Sequence, residues 1–548
     1  MKLNTVTHPD VGNSLSVSLK KVWAIWLQTA QNFFQCKPCL SAEVSNRSHA
    51  GKTIVSLSEL NYNYNTVKNQ VENSTRKRST LFRHRQTLFR HRHTTYQLPI
   101  TSYQLPLHYY STNNNRHLAT LEEAVIRGLA PDNGLYMPEQ LVPMPASFFE
   151  TLHQKSFREI SFSVANHLLG DDVEASDLKK MVEHSISFDA PLVRLDDNIF
   201  SLELFHGPTL AFKDFGARFM SQLLGHLVRH RNKEITVLVA TSGDTGSAVA
   251  NGFLGVDGIK VVVLYPSGKV SEIQEKQFTT LGRNITAIEV DGTFDDCQRL
   301  VKQAFMDSEL QSNLFLTSAN SINIARLIPQ SFYYFYAWSQ LGTVPPSASL
   351  PDRQGDRGLV FSVPSGNFGN LTAGLIAKRL GLPVHHFVAS TNVNDIVPQY
   401  LHTKEFAPRA SLSTISNAMD VGNPSNFARI LDLYQGNWNL ITQEITGYSF
   451  SDDETRSIMK SVFKENHYVL DPHGAIGLLG LKKYLQNNKG VTGIFLETAH
   501  PAKFKTVVEE TIETSLELPD KLKAFMTGTK QSIQLDSNFS NLKSYLLQ

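Results

Sequence analysis

The chain has 548 residues, of which 41% are apolar and 19% charged, values of a globular protein long enough for two or three domains. Its 52 Lys and Arg against 50 Asp and Glu leave a net charge of +2, three cysteines make no disulfide scaffold, and no apolar run reaches the ~18 residues that a membrane span needs. The charge is unevenly spread: residues 1–105 hold 14 basic and 4 acidic side chains, leaving 38 basic and 46 acidic in a mildly acidic body that gives no support to a nucleic-acid partner.

The first 107 residues are polar and rich in Asn, Ser, Thr and Arg. They hold seven-residue steps: Thr80-Leu81-Phe82-Arg83-His84-Arg85-Gln86 is followed by Thr87-Leu88-Phe89-Arg90-His91-Arg92-His93. A second pair runs from Thr94 to Ile100 and from Thr101 to Leu107. A proline in each later copy and the missing apolar seam argue against a coiled coil. A disordered or spurious extension is expected, with a transit peptide or a nucleic-acid-binding arm as the alternatives. Cys36-Lys37-Pro38-Cys39 has redox or half-zinc spacing, but no second pair follows, so no metal site is assigned.

From His108 onward the pattern is orderly. Leu121–Gly128 is a short amphipathic helix with Thr120 as its cap and a glycine at its end. Ala130–Pro138 reads as a turn and a short strand. In Phe205-His206-Gly207-Pro208-Thr209-Leu210-Ala211-Phe212-Lys213-Asp214-Phe215-Gly216, a Gly-Pro turn leads into a helix that begins between Thr209 and Lys213. Leu210, Ala211 and Phe212 draw the stem of Lys213 inside, where burial disfavours the ammonium form and leaves a better nucleophile. A buried-strand pattern over Ile235–Val239 precedes Thr241-Ser242-Gly243-Asp244-Thr245-Gly246, which opens another helix. Hydroxyls and free N–H groups at such a start suit a carboxylate; they would equally serve a capping turn.

Further strands read at Val261–Tyr265, Ala287–Val290, Val360–Val363 and His386–Ala389, alternating with helices. That alternation implies βαβ units and a mainly parallel sheet with ligands at its strand C-terminal ends. Thr317–Arg326 offers amides and a guanidinium that suit a phosphate, or a surface ion pair at Arg326. Gly342–Gly358 reads as a surface insertion. Ser365-Gly366-Asn367-Phe368-Gly369-Asn370 lies between a strand and a helix, as a phosphate cup or an ordinary turn. Phe495–Phe504 places Thr498 at a strand end.

These strings together resemble the threonine synthases over roughly residues 108–515. The resemblance implies an α/β protein of PLP-dependent fold type II, mainly parallel sheets with flanking helices, plus a small N-terminal α+β domain. That domain would occupy 108–190, the catalytic domain 191–515, and a C-terminal helical segment 516–548. The cofactor implied is pyridoxal 5'-phosphate. Lys213 would carry it as a Schiff base and act as the catalytic base. Gly366, Asn367, Phe368, Gly369 and Asn370 would hold its phosphate, and Thr498 would meet its ring nitrogen with a neutral hydroxyl. Thr241, Ser242, Asp244 and Thr245 would receive the substrate carboxylate, and Asn320, Ser321 and Arg326 the substrate phosphate. The reaction implied is O-phospho-L-homoserine plus water giving L-threonine and phosphate, the last step of threonine biosynthesis. It would be run by a cytoplasmic lyase, monomer or homodimer, without metal, membrane or nucleic acid. A PLP-dependent phospholyase acting on O-phosphothreonine or O-phosphohomoserine shares these motifs and is the alternative.

Overall fold

The computed structural model describes residues 108–230, 234–342 and 358–548; the seven-residue repeats, the Cys36–Cys39 pair and nearly all of the expected insertion lie outside the described residues. Strands β1 (Tyr109–Ser111), β2 (Asn114–Ala119) and β3 (Tyr136–Pro138) form a small antiparallel sheet in the order β2-β1-β3. Between β2 and β3 runs α1 (Leu121–Arg127), whose first turn is capped by the Thr120 hydroxyl, accepting from Glu123 N at 3.2 Å. Gly128 ends it at φ +69°, the left-handed conformation that glycine adopts without strain.

The chain then builds β4 (Leu192–Arg194), β5 (Ile199–Glu203), α2 (Lys213–Val228), β6 (Ile235–Ala240), α3 (Asp244–Phe253), β7 (Ile259–Pro266), α4 (Glu272–Thr279), β8 (Ile285–Asp291) and β9 (Phe315–Ser318). After these come β10 (Leu359–Pro364), α5 (Gly369–Arg379), β11 (His386–Thr391), β12 (Ile445–Ser449), α6 (Pro472–Asn487), β13 (Thr492–Glu497) and β14 (Ile533–Asp536). Two sheets result, six strands in the order β12-β11-β10-β13-β5-β4 and five in the order β14-β8-β7-β6-β9. Every pairing in them is parallel except β4 with β5.

Strands β6, β10, β11 and β13 are buried along their whole length. Helices cover both faces of such strands, which is why their sequences are continuous apolar runs rather than alternating ones. Gly252 lets α3 approach α2: a Cβ there would stand 3.0 Å from the Ala217 carbonyl carbon. The C-terminal segment differs from its expected all-helical form, because Ile533–Asp536 adds an edge strand that pairs with β8. Its side chains are mostly exposed, so it lacks the apolar signal of the inner strands.

Each loop singled out above leaves the carboxyl end of a parallel strand: the Lys213 segment after β5, the Thr241 loop after β6, the Asn320 segment after β9, the Ser365 loop after β10 and Thr498 after β13. Residues far apart in sequence therefore converge on one crevice.

Candidate active site

Lys213 is the first residue of α2, and the turn before it is fixed from two sides. Asp214 is wholly buried and accepts from the Thr209 N–H at 2.8 Å and its hydroxyl at 2.6 Å. Phe212 N–H donates to the Thr498 carbonyl at 2.9 Å, and His500 N–H to the Leu210 carbonyl at 3.0 Å. These bonds hold Leu210 at φ +58° and set Lys213 beside Thr498. Gly207 is required here, since a Cβ would lie 2.3 Å from the Asp214 carboxylate.

The Lys213 side chain is 15% exposed and its Nζ stands 3.5 Å from Asp244 Oδ2. Burial pushes its amine below the ordinary lysine range; Asp244 opposes this, while Lys503 and Arg326 add to it. Asp244 opens α3 with both oxygens engaged. Lys503 Nζ lies 2.7 Å from its Oδ1, and the Gln274 amide donates to the same oxygen at 2.9 Å. Burial alone would raise the Asp244 carboxyl, but Lys503 and Lys213 outweigh it and hold the group ionised, far below the usual range. Gly243 makes the approach of Gln274 possible: it sits at φ +140°, and a Cβ would meet that amide at 2.6 Å.

The cup after β10 is built by close approach. A Cβ on Gly366 would lie 2.7 Å from the Met419 Cα, so the 417–422 loop can pass only over a glycine. Phe368 takes φ +61° and starts α5, and Gly369 follows as its first residue. Asn370 Oδ1 accepts from the Tyr333 and Tyr334 hydroxyls at 2.7 and 2.8 Å, which leaves its buried Nδ2 without a partner. Asn367 is spent on the protein, with Nδ2 donating to Ser321 Oγ at 2.6 Å and Oδ1 accepting from Ser425 N–H at 2.6 Å.

Arg326 is 3% exposed. Its Nη1 donates to the Ala319 carbonyl, its Nε has no partner, and no carboxylate pairs with it among the described residues. Burial pushes the guanidinium down to about 10, with Asp214 acting the other way. The surface ion pair is thereby replaced by a buried, unpaired cation.

Lys213, Ser242, Asp244, Thr245, Asn320, Ser321, Arg326, Gly366–Asn370 and Thr498 all line one cavity of about 1370 Å³. Thr241 does not. Its hydroxyl accepts from the Gly243 and Gly246 N–H groups at 2.9 and 2.8 Å, which gives it the capping role. Asn320 lines the cavity, yet its amide bonds the Ala240 carbonyl at 2.9 Å and ties the β9 loop to the end of β6. Asp244 carries the wrong charge to receive a carboxylate through its side chain; its oxygens serve the two lysines. Lys503 and Gln274 are parts of the site that the sequence reading did not assign. So is His473, which lines the cavity with its Nδ1 2.5 Å from Asp471 and its Nε2 accepting from Ala418 N–H at 3.3 Å.

A sequence model of the pyridoxal-phosphate dependent enzymes matches residues 188–494, a threonine synthase N-terminus model matches 108–186, and a threonine synthase C-terminal model matches 474–546. The threonine synthase of Haemophilus influenzae is 46% identical over 440 residues, covering 80% of this chain and 99% of that protein. The chain belongs to the threonine synthase family. The threonine synthase of Escherichia coli is 44% identical over 439 residues, again 80% of this chain and 99% of that protein. The crystal structure of the E. coli threonine synthase superposes with a TM-score of 0.74 at 42% identity, over 80% of this chain and 99% of that one. The pyridoxal-phosphate-bound threonine synthase of Brucella melitensis gives 0.74 at 34% identity with the same coverage. Threonine synthase likeness thus runs through residue 546, past the expected limit at 515 and across the β14 segment.

Proposed function

We propose that this chain is a threonine synthase in the full sense: it converts O-phospho-L-homoserine and water to L-threonine and phosphate with pyridoxal 5'-phosphate. The observation that carries the reading is a lysine amine that shares one cavity with two unpaired, buried donors, Asn370 Nδ2 in the cup and Arg326 Nε. Two phosphate-bearing molecules, cofactor and substrate, fit two such donors. When bound, the cofactor delocalises the electron pair left at the substrate α-carbon after its proton is removed.

The chain's own groups do the rest. Gly366, Asn367, Phe368, Gly369 and Asn370 hold the cofactor phosphate at the start of α5, where backbone N–H groups and the helix dipole favour an anion. Thr498, fixed through the Phe212 bond, meets the ring nitrogen. Ser242 and Thr245 at the start of α3 take the substrate carboxylate with their hydroxyls and N–H groups. Arg326 and Ser321 take the substrate phosphate, the planar guanidinium offering two parallel bonds. Lys213 holds the cofactor and, once released by substrate, carries protons at the α- and β-carbons. The α- and β-protons leave and the phosphate departs from the γ-carbon; one proton then goes to the γ-carbon, which becomes the methyl group, water adds at the β-carbon, and a second proton returns to the α-carbon, so that one water enters for one phosphate lost.

No helix among the described residues is long and apolar enough to cross a membrane. A cytoplasmic enzyme, monomer or homodimer, acting on a small molecule completes the proposal. The deciding experiment incubates the protein with pyridoxal phosphate and O-phospho-L-homoserine and follows phosphate and threonine together. Equal amounts are expected. Phosphate with 2-oxobutyrate and no threonine would move the chain to the phospholyases.

A further inference from the structure

Lys503 lies in the short helical turn Pro501–Phe504 and its side chain is fully buried. Its Nζ is 2.7 Å from Asp244 Oδ1 and donates to the Thr209 carbonyl at 2.9 Å. Lys213 stands farther from the same carboxylate, at 3.5 Å from Oδ2. Two buried lysines thus share one acid, and the shorter contact belongs to the lysine that no step of the reaction above employs. A buried carboxylate needs a counter-ion. Here the counter-ion is supplied from outside the lysine that handles protons.

We propose that Lys503 is a positioning residue for Lys213: it is the resident counter-ion of Asp244, and by neutralising that carboxylate it lets the Lys213 amine give up its proton inside the folded protein. The charged groups facing Lys213 come from three elements. Asp244 projects from α3, Lys503 from the 501–504 turn and Arg326 from the segment after β9. Asp214, next in sequence, is turned toward Thr209. Remove Lys503, and one repelling cation disappears while Asp244 is left to Lys213 alone. Both changes hold the proton on Lys213. The proposal rests on the proton-handling role assigned to Lys213, and its test reads that lysine directly.

The test is competitive acetylation of the full-length, cofactor-free protein by acetic anhydride across pH, with mass spectrometry reporting the peptide that contains Lys213. Exposed Lys523 serves as internal reference. The reagent can enter, since Lys213 lines the cavity. In the unaltered protein Lys213 should reach half-maximal reactivity below Lys523. In Lys503→Met that midpoint should rise by about one pH unit or more, the size expected when an opposite charge becomes uncompensated within about 4–6 Å. At neutral pH the Lys213 reactivity should fall about tenfold. Lys503→Arg, which keeps the charge, should leave the midpoint low. An unchanged midpoint in a folded Lys503→Met protein overturns the proposal. Should Lys503→Met fail to fold, Asp244→Asn and the double variant Lys503→Met/Asp244→Asn decide it. The single change should lower the Lys213 midpoint and the double should return it near its original value; the absence of either movement also overturns the proposal. Failure of the threonine assay would show separately, because acetylation needs neither cofactor nor substrate.

Discussion

Replacing Arg326 with Met should make the protein more stable and nearly inactive, two effects of opposite sign from one side chain. Arg326 is a buried cation with no carboxylate in contact: its Nε is unpartnered, and burial pushes the guanidinium well down, to about 10. At ~1.4 kcal/mol per tenfold in proton affinity, that drop measures a penalty of about 3 kcal/mol on the charged form. Met fills a similar volume with no charge to desolvate. Against this stands the lost hydrogen bond from Nη1 to the Ala319 carbonyl, worth about 0.5–1.5 kcal/mol. A net stabilisation of about 1.5–2.5 kcal/mol remains, of the kind seen when buried ionic groups are exchanged for apolar ones. The functional loss is larger. A bidentate guanidinium–phosphate contact contains two charge-assisted bonds of about 1.5–3 kcal/mol each. Their removal predicts a fall in kcat/KM of about 10²–10⁴ at ~1.4 kcal/mol per decade. Urea and thermal midpoints, taken with and without inorganic phosphate, check the first half; steady-state kinetics on O-phospho-L-homoserine check the second. Phosphate should raise the midpoint of the original protein more than that of the variant, because a ligand stabilises only the fold that binds it. A lowered midpoint together with kcat/KM within tenfold of the original would refute the reasoning.

Other consequences can be checked separately. Borohydride reduction in the presence of pyridoxal phosphate should label the Lys213 peptide and no other, and Lys213→Ala should abolish both the label and the visible absorbance; equal labelling of the variant would remove Lys213 from its role. Gly366→Ala places a Cβ 2.7 Å from the Met419 Cα and 2.9 Å from the Ala418 carbonyl. That overlap should cost about 1–3 kcal/mol, and displacement of the cup should weaken pyridoxal phosphate affinity at least about tenfold by calorimetry. Burial takes His386 and His500 from 6.5 to about 4. Bases depressed in the fold contribute stability above their unfolded pKa and lose it as pH falls through the folded value. The window here is about pH 6.5 to 4, with up to about 3 kcal/mol from each. A urea midpoint that stays flat between pH 7 and 4.5 would contradict this, and His386→Gln should remove part of the slope.

The inner strands and the strand-to-helix loops were legible for different physical reasons. Val360–Val363 and Val237–Val239 read as strands because helices cover both faces of a parallel sheet, leaving no polar alternation to confuse the pattern. The Gly366 and Gly243 loops read as anion sites because each shows glycine at the junction of a strand and a helix. How the polar side chains in those loops are used was not legible. Thr241 and Asn320 have the right chemistry for a ligand, but Thr241 is taken up by the N–H groups of its own loop at Gly243 and Gly246, and Asn320 by the Ala240 carbonyl, a contact that exists only once β6 and β9 lie side by side. Lys503 carries no local mark either. A lysine after His-Pro-Ala looks solvated until the turn at 501–504 is folded onto the start of α3. Ile533–Asp536 was missed because an exposed edge strand has few apolar residues to announce it.

Arg429 ties together three segments beside the site. It is fully buried, and its Nε and Nη2 donate to the Tyr136 carbonyl in β3 at 3.2 and 3.0 Å. Nη2 also donates to the Ile322 carbonyl at 2.7 Å, and Nη1 to Asn426 Oδ1 at 2.6 Å. Asn426 Nδ2 then bonds Ser321 Oγ at 3.2 Å, the same hydroxyl that receives Asn367. One guanidinium therefore joins the small sheet, the segment after β9 and the loop that faces the cup. Its hydrogen bonds go to neutral oxygens, while the Asp432 carboxylate acts on it electrostatically. Among the buried charged groups at the crevice, Lys503 and Arg326 stand with Asp244 and Asp214, beside a Lys213 amine that burial pushes below the ordinary lysine range. A buried cation with no carboxylate in contact, such as Arg326, costs folding energy. On the proposed function that cost is recovered when phosphates meet the unpaired Nε of Arg326 and Nδ2 of Asn370.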